Sequence, residues 1–325
     1  MRLSRILASV ICLAALARAQ TLLVLEKKDS SLALVDPTSL KILARIPAGE
    51  DPHEVVVSPD GKFAYISNYG AFQNPQHTIS VADLAAKKAF PPIDLQTLLA
   101  PHGLDLVNGK VYFTAEGSKA IGRYDPATNQ IDWTLGLGQN RTHMLLVAKD
   151  ENRIFTSNVN ADSIGILDRD KSADASGWTQ TTIKVGKGPE GFDVSPDGKE
   201  VWAANSHDGT VSIIDVASRA VTQTIDLHTK SANRLKFSPD GKLVLISHLG
   251  NGDLVVVDAA TRKEVKRVNL GHGAAGIQIT PDGSRAFIAA SPDNNIAVFD
   301  LKTLTVTARI ATGNGPDGMA WLPGR

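Results

Sequence analysis

The sequence predicts an all-β fold, a seven-bladed β-propeller with four-stranded antiparallel blades. Three observations predict it. First, one tight turn recurs: Ser58-Pro59-Asp60-Gly61, Ser195-Pro196-Asp197-Gly198, Ser238-Pro239-Asp240-Gly241 and Thr280-Pro281-Asp282-Gly283. Pro presets φ at the second turn position, and Asp and Gly tolerate the conformations of the next two. Val107-Asn108-Gly109, Ala148–Asn152 and Leu322-Pro323-Gly324 are degraded copies. Second, seven alternating strands end in Asp36, Asp83, Asp125, Asp168, Asp215, Asp258 and Asp300, with spacings of 42 to 47 residues. Third, the alternation has period 2 and no useful amphipathic helix pattern appears, which excludes helical solenoids. Four short strands per repeat of this length is a propeller blade.

In chain order, the N-terminus comes first. Met1–Arg5 is basic, Ile6–Leu16 is apolar, and Ala17-Arg18-Ala19 is a small-x-small cleavage site. Residues 1–19 therefore read as a secretory signal peptide, with the propeller over 20–325. The apolar run is too short to span a bilayer. The one cysteine, Cys12, lies in this leader, so no disulfide or thiol chemistry is expected after cleavage. The expected location is periplasmic or secreted. Losing Arg2, Arg5 and Arg18 leaves 31 basic against 34 acidic residues, a balance that suggests no nucleic-acid partner.

The remaining chain starts in the middle of a blade. Leu22–Glu26, Ser31–Asp36 and Lys41–Ile46 read as strands two to four, and Gly318–Leu322 as a lone first strand. The C-terminal strand is expected to join the N-terminal blade and so close the ring, which removes open sheet edges. The Asp ending each third strand is expected to accept turn hydrogen bonds and to have no further role. Two polar inserts break the period, Asn68–His77 and Arg169–Thr182, and both are expected as loops.

Phe63–Asn68, Arg153–Asn158 and Val201–Asn205, with the SPDGK turns upstream, resemble the YVTN-repeat β-propeller family over essentially the whole chain after the leader. The resemblance implies the fold. It leaves function open, because related propellers include binding proteins, lactone hydrolases and redox subunits.

Aligning the units on their turns gives one residue per blade at the start of the innermost strand: His53, His102, His143, Glu190, Asn233, Ala275 and Asp317. These are expected at one mouth of the central channel, with Arg234 and Arg141 beside them to hold an anion. His53, His102 and His143 fall in consecutive blades. Neutral imidazoles with a carboxylate suit a divalent metal such as Zn, Ca or Cu, and an open coordination position would activate water. The alternative is a hydrated polar channel. A second ring lies at the end of the next strand: Glu26, Asn68, Glu116, Asn158, Asn205, His248 and Ser291. Its first reading is structural, with Asn side chains bonding the neighbouring blade's backbone. Resemblance to propeller lactone hydrolases implies a second reading, in which Glu26, Glu116, Asn158 and Asn205 surround a cation. His77, His207, His228 and His272 are expected in solvated turns, and Trp202 and Trp321 in the core.

No nucleophile elbow, P-loop, dinucleotide fingerprint or CxxCH is present, so neither nucleotide chemistry nor a covalent haem is expected. The leading expectation is a monomeric scaffold binding a small molecule or a protein at one face of the channel. The alternatives are a metal-dependent lactone or ester hydrolase and a propeller subunit of a redox enzyme.

Overall fold

A computed structural model describes residues 20–71, 73–170, 177–228 and 231–324. The leader read at 1–19, with Cys12, lies outside the described residues. The described chain forms seven four-stranded sheets, and within each the neighbouring strands run antiparallel. Blade 1 consists of Pro52–Val57, Phe63–Ala71, Asn74–Asp83 and Lys88–Asp94. Blades 2 to 6 repeat that order, beginning with Pro101–Val107, Thr142–Val147, Pro189–Val194, Ala232–Phe237 and Ile277–Ile279. Blade 7 joins the two ends of the chain: Pro316–Leu322 pairs with Thr21–Glu26, and Ser31–Asp36 and Lys41–Pro47 complete the sheet. Each inner strand contacts the next, and the seventh contacts the first, so the ring closes as the sequence implied.

Among the described residues, seven apolar clusters hold the ring, and each is shared by two adjacent blades. Blades 7 and 1, for example, meet through Leu23, Leu25, Leu32 and Ile46 against Val55, Ala64 and Ile66. The second and third strands are buried on both faces, which is why they read as near-continuous apolar runs. Trp202 is fully buried, while Trp321 is half-buried and stacks on Phe287.

The turns behave as their residues require. Ser58 Oγ donates to Asp60 Oδ1 at 2.7 Å, which also accepts the Lys62 N–H, and Gly61 takes φ +63°. Hydrogen bonds, that from Ser58 first, hold the Asp60 carboxyl down at about 2. Six of the seven strand-end aspartates accept N–H groups from the turn after them. Asp168 accepts from Arg153 and Arg219.

Two expectations need correction. Asn68–His77 is mostly not a loop. It extends the blade 1 hairpin, whose strands run to Ala71 and from Asn74, because backbone pairing continues through Gly70↔Pro75. His77 accordingly lies in a strand, exposed and paired with Asp94, rather than in a turn. The second insert contributes strand Trp178–Lys184, and its residues 171–176 lie outside the described residues.

Candidate functional site

All seven first-ring positions line one cavity of about 410 Å³ at a mouth of the channel. The backbone explains this convergence. In six blades the pairing of the first two strands slips by one residue at the ring position. His53 and Glu54, for instance, together oppose Ser67. Such a bulge re-aims side chains and increases local twist. Two residues before the ring position the chain is left-handed in six blades, at Asp51, Ala100, Arg141, Gly188, Ser231 and Gly315. Four of these are not glycine, so the conformation stores strain beside the cavity.

Close approach between blades brings the ring residues together. In four blades a glycine comes directly after the ring residue. A Cβ at Gly103 would lie 2.8 Å from His143 O, at Gly191 2.4 Å from Asn233 O, and at Gly276 and Gly318 2.1 Å from Asp317 O and His53 O. Hydroxyls bracket the same joint. Ser67 Oγ accepts the Glu54 N–H and donates to His102 O at 2.6 Å, and Thr114, Ser157 and Ser247 repeat this toward His143, Glu190 and Ala275. Each hydroxyl thus ties its own blade's bulge to the next blade's ring carbonyl.

The histidine side of the mouth is a row of tilted, closely packed imidazoles. The ring centroids of His53 and His102 are 4.5 Å apart, and those of His102 and His143 are 3.7 Å apart. Burial first, then neighbouring positive charge, pushes His53 down to about 3 and His102 well below the ordinary range. Both rings are therefore neutral at neutral pH. For His53 the geometry agrees: Lys27 Nζ, which can only donate, sits 2.7 Å from Nε2, while Nδ1 lies 2.9 Å from Asp51 O. The buried Nδ1 of His102 has no hydrogen-bond partner among the described residues.

The other side carries the charges. Lys27 Nζ is 3.3 Å from Asp317 Oδ2 and 3.7 Å from Asp51 Oδ1. Burial raises the Asp317 carboxyl, but the positive charges of Lys27 and Arg234 lead the causes that outweigh it and keep it below the usual range. Its Oδ1 is buried without a partner among the described residues. Arg234 and Glu54 pair at 2.7 Å from blades 5 and 1, which are not adjacent, and so bridge the channel. Asn233 Nδ2 donates to Glu190 Oε2 at 2.6 Å. Arg141 stands between Glu116 Oε2 at 3.6 Å and Glu190 Oε1 at 3.9 Å.

The second ring is largely spent on structure. Asn68 Oδ1 accepts the Gly49 N–H, and its amide donates to Thr78 and Ser80. Glu26 accepts from Arg45, Ser31 and the Gly313 N–H. Asn158 accepts from Thr142 and donates to Ser163, while Asn205 donates to Thr210 and Ser212. His248 is fully buried between Ser247 and the rim residue Leu249. Glu116 and Ser291 differ. Ser291 lines the cavity, and Glu116 holds His143: Nδ1 donates to Oε1 at 2.5 Å, and Tyr69 donates to Oε2 at 2.6 Å. The Glu26–Glu116–Asn158–Asn205 cation set does not assemble, because three of its members are turned into their own blades.

Nor do the three histidines form a cage. Their rings pack against one another at tilted angles, and among the described residues no group of three or more His, Cys, Asp or Glu is disposed to hold a metal ion. Sequence reasoning missed Lys27, Asp51 and Tyr69. A signal for two of them exists: Lys27 and Tyr69 each come directly after a second-ring residue, as does the rim residue Leu249.

A family model described as the cytochrome D1 heme domain matches residues 112–283, which include His143, Glu190, Asn233 and Ala275 of the first ring. The repeat motif had pointed instead to YVTN propellers. A candidate 6-phosphogluconolactonase from Bacteroides fragilis is 18% identical, with TM-score 0.76, covering 94% of this chain and 98% of that one. Dihydro-heme d1 dehydrogenase NirN, solved in complex with DHE, is 15% identical, with TM-score 0.66, covering 92% and 74%. A protein of unknown function from Desulfotomaculum acetoxidans is 14% identical, with TM-score 0.75, covering 93% and 98%. At these identities the likeness shows the fold alone. No curated protein matches the chain.

The haem implied by the first of these can be tested against the cavity. Neutral imidazoles are suitable iron ligands. A flat macrocycle also needs broad apolar walls above and below it. Among the described residues Leu249 is the one large aliphatic side chain on the cavity wall, and half of the other lining residues carry a formal charge. His102 and His143 cover one another's faces. The residues present do not fit a tetrapyrrole inside this cavity.

Proposed function

This chain belongs to the cytochrome D1 heme domain family, and within it we propose that the protein is a ligand-binding propeller whose channel mouth takes a small hydroxylated carboxylate of the sugar-acid type. One observation carries the reading: two buried polar atoms, His102 Nδ1 and Asp317 Oδ1, lack partners among the described residues on the wall of a cavity that all seven blades build. Leaving such atoms unmatched costs about 1–3 kcal/mol each, and a ligand hydroxyl supplies what Asp317 lacks. Arg141, Lys27 and Lys28 line the same cavity and offer the charge that receives a carboxylate. The likeness to a candidate 6-phosphogluconolactonase agrees in chemistry, since opening a sugar lactone yields a hydroxylated acid. The proposal includes action as a monomer outside the cytoplasm, consistent with the leader read at 1–19. Among the described residues no helix is long and apolar enough to cross a membrane.

The test is calorimetric titration with a panel of aldonic acids, gluconate and its phosphate ester included. Binding is expected at one site, weakened at least tenfold by Arg141→Ala. Haemin titration is expected to give no shifted Soret band. A tight haemin complex with no aldonate binding would reverse the conclusion.

A further inference from the structure

One assembly at the mouth is more than a binding surface. Glu116 accepts the Nδ1 proton of His143 on one oxygen and the Tyr69 hydroxyl on the other, with Arg141 alongside. Burial pushes Glu116 up, but the hydrogen bonds from His143 and Tyr69 and the charge of Arg141 hold it below its ordinary range, so it is ionised. A carboxylate on Nδ1 fixes the tautomer and leaves Nε2 unprotonated. His143 lines the cavity, and with Nδ1 committed, Nε2 is the ring atom left for a ligand. His102 packs on the imidazole face at 3.7 Å and prevents the ring from turning. A base, its orienting carboxylate and a nearby cation are the parts of acyl-transfer chemistry by water, without a metal.

We propose that His143 is a general base that opens a sugar lactone, with Glu116 as its positioning residue. This rests on the sugar-acid reading of the cavity, since the bound acid is the product of that reaction. Nε2 takes one proton from a water whose oxygen bonds to the lactone carbonyl carbon. The tetrahedral intermediate carries its negative oxygen toward Arg141. The ring C–O bond then breaks, and the proton on Nε2 passes to the departing ring oxygen. Lactone and water give the open hydroxy acid, which loses its carboxyl proton to solvent. Water is the one co-reactant, and nothing is oxidised or reduced.

The test monitors proton release on opening of glucono-δ-lactone and its phosphate ester by the full chain, beside calorimetric binding of the corresponding acids. Wild type is expected to exceed the spontaneous rate. His143→Ala is expected to lose about 10²–10⁴-fold in kcat, the usual worth of a positioned base. Its far-UV circular dichroism and denaturant midpoint are expected to show that it folds, and added imidazole should restore part of the rate. Glu116→Gln is expected to lower kcat ten- to a hundredfold with KM little changed, and Glu116→Asp to recover part of it. Wild type that binds the acids but does not open the lactones overturns the general base and leaves the binding site standing. Failure to bind any of the acids overturns the sugar-acid reading itself. Turnover unchanged in His143→Ala would assign the reaction to other groups.

Discussion

Two rings of polar residues recur with the same period in this chain, and they have opposite fates. The first, from His53 to Asp317, opens into a cavity. The second, from Glu26 to Ser291, is mostly enclosed and hydrogen-bonded inside its own blades. One strand separates them. The first ring sits on a bulge, where two residues oppose one and a side chain must leave the sheet. Most of the second ring sits on a doubly buried strand, where the polar side chains are turned to partners within the blade. A periodic polar residue is thus ambiguous until the register of its strand is known.

The largest break in this comparison is expected at the joint that makes the bulges meet. Gly318→Val would drive a Cβ toward His53 O, against backbone that cannot yield. It is expected to cost about 3 kcal/mol or more, read as a lower denaturant midpoint, or to abolish soluble protein. An unchanged midpoint would mean that the blades are not held this close.

The next effect sharpens the contrast between rings. Glu26→Ala removes the acceptor of Arg45, Ser31 and the Gly313 N–H, and is expected to destabilise by about 2–3 kcal/mol. His102→Leu removes a buried group with a nitrogen unpartnered among the described residues, and is expected to stay within about 1 kcal/mol of wild type or to gain, while acid binding falls. Equal losses in the two variants would erase the distinction.

A smaller effect is expected from pH. His53 is held at about 3 in the fold, chiefly by burial, against an ordinary 6.5 when unfolded. Between those values the unfolded chain binds the extra proton, so stability falls as pH drops from about 6.5 toward 3. His53→Gln is expected to flatten that part of the pH–stability curve. Glu26 is the opposite case: burial raises it, but Arg45, Ser31 and Gly313 outweigh burial and leave it lowered. Its contribution is present above its unfolded value and fades as pH falls through the folded one, so Glu26→Gln is expected to flatten the acid limb below about 4.5.

The sequence by itself determined the architecture. Period-2 alternation, the SPDG turns and the Asp markers act locally, over at most a hairpin, and their count sets seven blades. The half-blades at the two ends dictated closure, because an open edge has unpaired backbone. The first ring was legible for the same reason, since it lies at a constant offset from a turn. Other features were decided only in three dimensions. His143 meets Glu116 across two blades, Lys27 meets Asp317 across the closure, and Glu54 meets Arg234 across the channel. Spacing predicts none of these pairs, because each depends on how far a bulge turns a side chain and how closely a glycine lets the next blade approach. Tilted packing of the imidazoles, in place of a converging metal set, has that origin too: residues some forty positions apart share a ring by periodicity, while the direction in which their nitrogens point belongs to the packed backbone.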